Sequence, residues 1–223
     1  MANSHLIAEE LISLGENIEI DPNVILGYLT GRKIKDYSLK IGSGAHFRSG
    51  AVIYGGVQIG NDFQTGHNVV VREQNVIGNH VQIWNNTTID YGCVIGNNVK
   101  IHTNCYIAQF TVIEDDAFLA PGVTIANDFH PNCAFSAECM KGPTIKRGAQ
   151  IGVNVTLTPY VTIGEYSLIG SGAVVTADVP PYSLVVGNPG RVIKQTTEIT
   201  CKTAIAPEGK TYHPYSLREE LQK

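Results

Sequence analysis

The sequence predicts an all-β molecule, a single chain wound into a triangular solenoid of short parallel strands and interrupted once by an ejected loop. Three observations carry that expectation. First, an aliphatic residue recurs every sixth position from Ile41 through Phe47, Ile53, Ile59, Thr65 and Val71 to Ile125, and again from Ile145 through Ile151, Leu157, Ile163 and Ile169 to Val175; Thr65 alone is not apolar. Second, a smaller residue follows four positions after each anchor, as in Ala45, Ala51, Val57, Val81, Cys93, Val99 and Val123, with Phe63 and Asn75 as exceptions. Third, Ile-Gly recurs at 41, 59, 77 and 95, a spacing of 18 residues, or three hexapeptides.

A helix repeats its buried residues at 3.6 and a half-buried strand at 2, so neither explains a period of six. A large aliphatic, then Gly, Asn or Asp, then a small residue describes a short strand followed by a sharp turn, because those turn residues tolerate a left-handed backbone. Three such units per coil make a triangular prism. Hexapeptide repeats belong to parallel β-helices, which bury their core by stacking coils. At about 4.8 Å per coil, roughly seven coils give a prism about 33 Å tall.

The elements follow in order. Residues 1–40 form an N-terminal cap, in which Ser4 to Leu14, with apolar Leu6, Ile7, Leu11 and Leu14 before Gly15, predicts a short amphipathic helix. Residues 41–195 form the solenoid, with a loop over 126–144. Residues 196–223 predict a hairpin joined at Pro207-Glu208-Gly209 and a short helix from Ser216, where Glu219 completes a capping box. These short capping elements at both ends cover coil ends that are otherwise open sheet edges.

Composition narrows the function. The 223 residues carry a net charge of −4 with no basic cluster, which argues against a nucleic-acid partner. No apolar run approaches the ~18 residues of a membrane span. The N-terminal stretch lacks the charged-then-apolar layout of a secretory signal. Five cysteines without paired spacing do not make a disulfide framework; Cys93 and Cys105 occupy inward slots and read as small buried side chains. A cytoplasmic location is the expectation.

The rhythm breaks once. Ile125 and Ile145 stand 20 positions apart where the repeat demands 6, and the intervening chain opens with Asn127-Asp128-Phe129-His130-Pro131. A loop ejected from a rigid wall is a place to mount chemistry. His130 brings into this loop an imidazole, a group that titrates near neutral pH, and is the candidate for chemistry there. A loop histidine bonded to nearby backbone is the plainer alternative. Asn127 or Asp128 can orient the ring, or serve as turn residues. His130, Cys133 and Cys139 have a spacing that invites a zinc assignment, but a structural site needs four ligands and no fourth lies near, so no metal is expected. His46, His67, His80 and His102 are not separated by multiples of 18 and do not stack on one face. Arg191 and Lys194, where the chain leaves a solenoid poor in positive charge, suit a phosphate.

These repeats, the His-Pro loop entry and the segment "IGVNVTLTPYVTIGEYSLIGSGAVVTADVPPYSLVVGNPGRVIK" together resemble the hexapeptide acyltransferases, from about Ile41 to Lys194. The likeness is to galactoside and maltose acetyltransferases and to the sugar-nucleotide N-acetyltransferases of surface-polysaccharide pathways. The resemblance implies a left-handed parallel β-helix of hexapeptide repeats, acetyl-CoA as co-substrate, and a homotrimer with active sites between subunits. It makes His130 the base and places the donor contacts on Val153, Ser171, Thr176, Arg191 and Lys194. Ala177 stands where the family often has Lys, and Gly190 where Ala is usual. Asn104, in the coil before the loop, is the candidate acceptor contact, with an ordinary surface asparagine as the alternative.

The expected reaction is N-acetylation of a nucleotide-linked amino sugar. O-acetylation of a sugar or small alcohol is the alternative. A non-catalytic or metal-dependent β-helix of the γ-class carbonic anhydrase type is a second, and the absence of that class's His-x4-His pair counts against it.

Overall fold

In the computed structural model, which describes residues 5–200, the six-residue period becomes three flat faces. From Gln58 to Val175 the hexapeptides contribute two-residue strands whose second member is the anchor, as in Gln58–Ile59, Gln82–Ile83 and Tyr106–Ile107. The anchor points inward and the residue before it outward, because successive strand side chains alternate. Each strand pairs in parallel with its equivalent one coil on, so that Ile77 lies between Ile59 and Ile95. Among the described residues the first, second and third faces hold 8, 10 and 8 strands. The chain turns at a first corner into the second face, at a second corner into the third, and at a third corner back to the first. The fold is a left-handed parallel β-helix.

Anchors and small followers fuse into one core running the length of the prism. Cys93 and Cys105 are part of it as free thiols, and burial pushes the Cys93 thiol up to about 12. The three departures from the pattern have local reasons. Thr65 accepts the Arg48 backbone N–H at 2.9 Å. Asn75, fully buried, accepts the Cys93 N–H at 2.7 Å and donates to the Arg72 carbonyl at 2.8 Å, so its amide is satisfied. Phe63 packs against Phe47, the one aromatic anchor, with ring centroids 5.7 Å apart.

The first corner explains the 18-residue Ile-Gly spacing. A Cβ on Gly60 would stand 2.8 Å from the Gly78 backbone of the next coil, and one on Gly78 would stand as close to Gly96. Only glycine permits that approach. Asparagines stack beside it: the N–H groups of Ser43, Asn61 and Asn79 donate to the side-chain oxygens of Asn61, Asn79 and Asn97 at 2.8–2.9 Å.

The N-terminus departs from expectation. In place of a helix over Ser4 to Leu14 there is one 3-10 turn, Glu9–Leu11, and a strand, Ile12–Leu14, paired in parallel with Leu39–Ile41. The ladder therefore starts a full coil before Ile41. The clock runs there as Leu14, Ile20 and Leu26, which pair with Ile41, Phe47 and Ile53. Leu26 and Ile41 are 15 positions apart, not 6, so an insertion shifts the phase and hides the coil. At the other end, Ser183–Val186 and Arg191–Gln195 form an antiparallel hairpin on the second face, followed by a 3-10 turn at Thr196–Glu198. The hairpin and helix expected beyond residue 200 lie outside the described residues. Among the described residues no helix is long and apolar enough to cross a membrane.

Candidate active site

Both insertions leave the prism at the third corner. One covers residues 29–38, and the other covers 126–143 between strands Thr124–Ile125 and Thr144–Ile145. The second does not disturb the ladder, since Ile113 still pairs with Ile145. Its neck is closed where the Lys141 N–H donates to the Asn127 carbonyl at 2.8 Å. Its body folds onto the next coil: Phe129 stacks on Tyr160 at 5.8 Å with the rings 5° from parallel, and the Tyr160 hydroxyl donates to the Cys139 carbonyl.

His130 stands at the rim of this arrangement. With Phe129, Cys139 and Tyr160 it lines a cavity of about 290 Å³. His130 is exposed, and its ring makes no hydrogen bond among the described residues. The sequence expectation had Asn127 or Asp128 orienting that ring. The structure places them differently. Asp128 accepts the backbone N–H of His130 at 2.7 Å and the hydroxyl of Ser136, so it shapes the chain beneath the imidazole without touching it. Ser136 first, and then the His130 amide, hold the Asp128 carboxyl below the usual carboxylate range. Asn127 turns the other way and donates to Gln109 Oε1 at 2.7 Å. Each therefore bears on the ring through the backbone.

From Asn127 a polar column runs down the third corner. Asn127, Gln109, Tyr91 and Glu73 are 18 apart and occupy one position in four successive coils. Gln109 Nε2 donates to Asp90 Oδ2 at 2.6 Å, and the Tyr106 hydroxyl donates to the same oxygen at 2.8 Å. Burial first, and then that bond to a carboxylate, push the Tyr106 phenol up to about 12. Arg72 donates to Asp90 Oδ1 at 2.9 Å and grips both oxygens of Glu73 at 3.0 and 3.2 Å. Arg32, from the first insertion, reaches the fully buried Glu73 at 3.3 Å and covers the Tyr91 ring at 3.5 Å. The Tyr91 hydroxyl meets Met140 of the second insertion at 4.0 Å. Both insertions thus close on Tyr91. Sequence reasoning missed this column; polar residues recurring at 73, 91, 109 and 127 were the available signal.

The remaining expected residues lie elsewhere. Asn104 is an exposed second-corner turn residue with φ of 59°, one corner away from the loop. Its identity meets the left-handed turn there, and the structure does not bring it to His130. Val153 and Ser171 share the second corner, where the Val153 N–H donates to Ser171 Oγ at 3.2 Å. Thr176 follows the last strand of the third face, Val174–Val175. Arg191 and Lys194 lie on the closing hairpin. Residues three apart on a regular strand point to opposite faces. Here a bulge takes up one residue, so Arg191 pairs with Val186 and Lys194 with Leu184, two outward positions on the same face. Both cations thus present themselves on one outer surface. Among the described residues no group of three or more His, Cys, Asp or Glu is placed to hold a metal ion.

Residues 92–127 and 142–177 match the family model described as bacterial transferase hexapeptide, six repeats. The two matched blocks flank the loop. The chain is 37% identical over 97 residues to galactoside O-acetyltransferase of Escherichia coli, covering 41% of this chain and 48% of that protein. It is 39% identical over 74 residues to dTDP-3-amino-3,6-dideoxy-alpha-D-galactopyranose 3-N-acetyltransferase of Aneurinibacillus thermoaerophilus, covering 30% and 38%. The matches span less than half the length of these relatives. Among solved structures, a UDP-N-acetylglucosamine acyltransferase from Bacteroides fragilis superposes with a TM-score of 0.56 at 18% identity, over 87% of this chain and 74% of that one. A mutant perosamine N-acetyltransferase from Caulobacter crescentus, in complex with CoA and GDP-perosamine, superposes with 0.51 at 23%, over 60% and 57%. At those identities the likeness is one of fold.

Proposed function

On a chain built from the hexapeptide repeats of bacterial transferases, we propose that the third-corner site transfers an acetyl group from acetyl-CoA to the amino group of a nucleotide-linked amino sugar, with His130 as general base. The observation that carries this reading is the His130 ring, exposed and unbonded on a loop whose other parts are tied down. A base held by a fixed backbone keeps its geometry from turnover to turnover. As the amine nitrogen bonds to the acetyl carbon and the carbon–sulfur bond breaks, the imidazole takes the amine proton and then returns it to the departing thiolate. Asp128 and Asn127 are positioning residues. One fixes the backbone under His130, and the other joins the loop to Gln109 and the buried Asp90.

In this reading Val153, Ser171 and Thr176 contact acetyl-CoA, and Arg191 and Lys194 meet its phosphates. The fit rests on the shared outer face of the two cations. A second reading, O-acetylation of a sugar, is favoured by the galactoside O-acetyltransferase relative. The two separate in a thiol-release assay with acetyl-CoA, run against UDP-, dTDP-, GDP- and CDP-linked amino sugars and against hydroxylated acceptors. The amine acceptors are expected to win.

The base is tested by His130→Ala, which should lower turnover about 10²–10⁴-fold with little change in Tm. Residual transfer to an amine should rise at high pH, where more of the acceptor is already deprotonated. Wild-type turnover across the pH range would remove His130 from the mechanism.

A further inference from the structure

A second cavity, of about 340 Å³, lies along the second face and second corner, and the reaction proposed above makes no use of it. It is lined by Arg48, Gln64, Gly66, Gln82, Trp84 and Asn85 among others. Trp84, the one tryptophan in the chain, is 44% exposed here, a high value for the largest apolar side chain. Its indole is held from behind. His102, one coil on, stacks against it at 5.6 Å with planes 23° apart, and His102 in turn packs on Phe118 at 5.0 Å. Burial first, and then the charge of Lys100, lower the His102 pKa. The support behind Trp84 is therefore a neutral ring near pH 7.

The repeat leaves the other indole face open. Arg48, Gly66, Trp84 and His102 are 18 apart and occupy one position in four successive coils. Glycine is required at 66, where a Cβ would collide with the Asn85 side-chain oxygen and stand 2.6 Å from the Asn85 backbone nitrogen. With no side chain at 66 the cavity runs between the Arg48 and Trp84 positions, two coils or roughly 9.6 Å apart, with the Asn85 amide at its inner edge. One planar ring fits there, stacked on the indole, with the long Arg48 side chain closing over it. Arg48 is half-exposed, and among the described residues its side chain has one ion-pair contact, with Asp21 at 3.7 Å. The edges are polar. Among the described residues the side-chain amides of Gln64 and Gln82 make no hydrogen bond, and Asn85, whose side-chain oxygen accepts the His67 N–H at 2.8 Å, keeps its own side-chain donors.

We propose that this slot binds a nucleobase, stacked between Trp84 and Arg48 and hydrogen-bonded at its edge by Gln64, Gln82 and Asn85. A base offers a flat π-face to indole and guanidinium and a rim of donors and acceptors to the amides. The site goes beyond the acetyl-transfer reading and stands without it, since it lies on a different corner and two coils before the loop.

The single tryptophan makes the test direct. Emission excited at the red edge of indole absorption should quench saturably with AMP, GMP, CMP and UMP, and should not respond to ribose 5-phosphate or glucose. Gln64→Ala and Gln82→Ala keep the fluorophore and should each weaken binding several-fold. Trp84→Leu, followed by equilibrium dialysis with AMP, should weaken it about 10- to 100-fold. Nucleotide-linked sugars should quench as well. If Trp84→Leu also raises their KM in acetyl transfer, the bound base belongs to the acceptor; if transfer kinetics are unchanged, the site serves free nucleotide. Quenching by glucose would make the slot a carbohydrate platform and overturn the proposal. So would a Trp84 accessible to acrylamide yet silent to every nucleotide, or one shielded from acrylamide by a second subunit.

Discussion

Arg72 holds together two carboxylates that the solenoid has largely taken out of water. Glu73 is fully buried and Asp90 is 6% exposed, and Arg72 contacts both. Removing one partner from such a group leaves a charge without compensation, which costs far more than the intact group contributes. Arg72→Met should therefore destabilise the protein by about 3 kcal/mol, toward the lower end of the range for buried pairs because Arg32 still reaches Glu73. Urea denaturation checks this, and a loss under about 1 kcal/mol would show that water reaches both acids. Asn127, at the head of the same corner, is legible in the sequence only in part. Its loop position was plain in the sequence. Its partner Gln109 lies 18 residues back and looks like any outward polar residue until the coils are stacked.

At the scale of elements, the hairpin closing the second face shows how one residue changes a site. Ile193 sits between Lys194, which pairs with Leu184, and Val192, which pairs with Val185. Without that bulge the two cations would face opposite ways. Arg191→Ala with Lys194→Ala should weaken acetyl-CoA binding substantially, since a charge-assisted contact contributes about 1.5–3 kcal/mol. Calorimetry reads the change directly, and an unaltered Kd would reduce both residues to surface charges. The six-residue period made the prism faces and the ejected loop legible. It does not reveal the first coil, because the insertion between Leu26 and Ile41 resets the count, nor the strand at Ile12–Leu14, because Leu6, Ile7, Leu11 and Leu14 around it follow a helical spacing.

For the whole molecule, the geometry bears on assembly. The candidate base projects from the third corner, while Val153 and Ser171 lie on the second and the two cations on the closing hairpin. Among the described residues the cavity at His130 is lined by Phe129, Cys139 and Tyr160 and includes none of those groups, and small-molecule sites are concave. Neighbouring prisms packed side by side can bring one subunit's corner against another's. A homotrimer in sedimentation is the expected result, with mixed trimers of His130→Ala and Arg191→Ala/Lys194→Ala subunits regaining part of the activity. A fully active monomer would refute an inter-subunit site.

What the sequence determined by itself was the period, and with it the strands, the turns, the buried anchors and the place where the chain leaves the wall. A solenoid repeats one local instruction, so residues six apart report one another's environment. Only the tertiary structure decided which residues from different coils meet. The Asp90–Gln109–Asn127 chain, the closure of both insertions on Tyr91, the slot beside Trp84 and the shared face of Arg191 and Lys194 all depend on stacking at 18 residues combined with insertions and a bulge that alter the count. Those contacts join side chains far apart in the chain, whose partners no local pattern names.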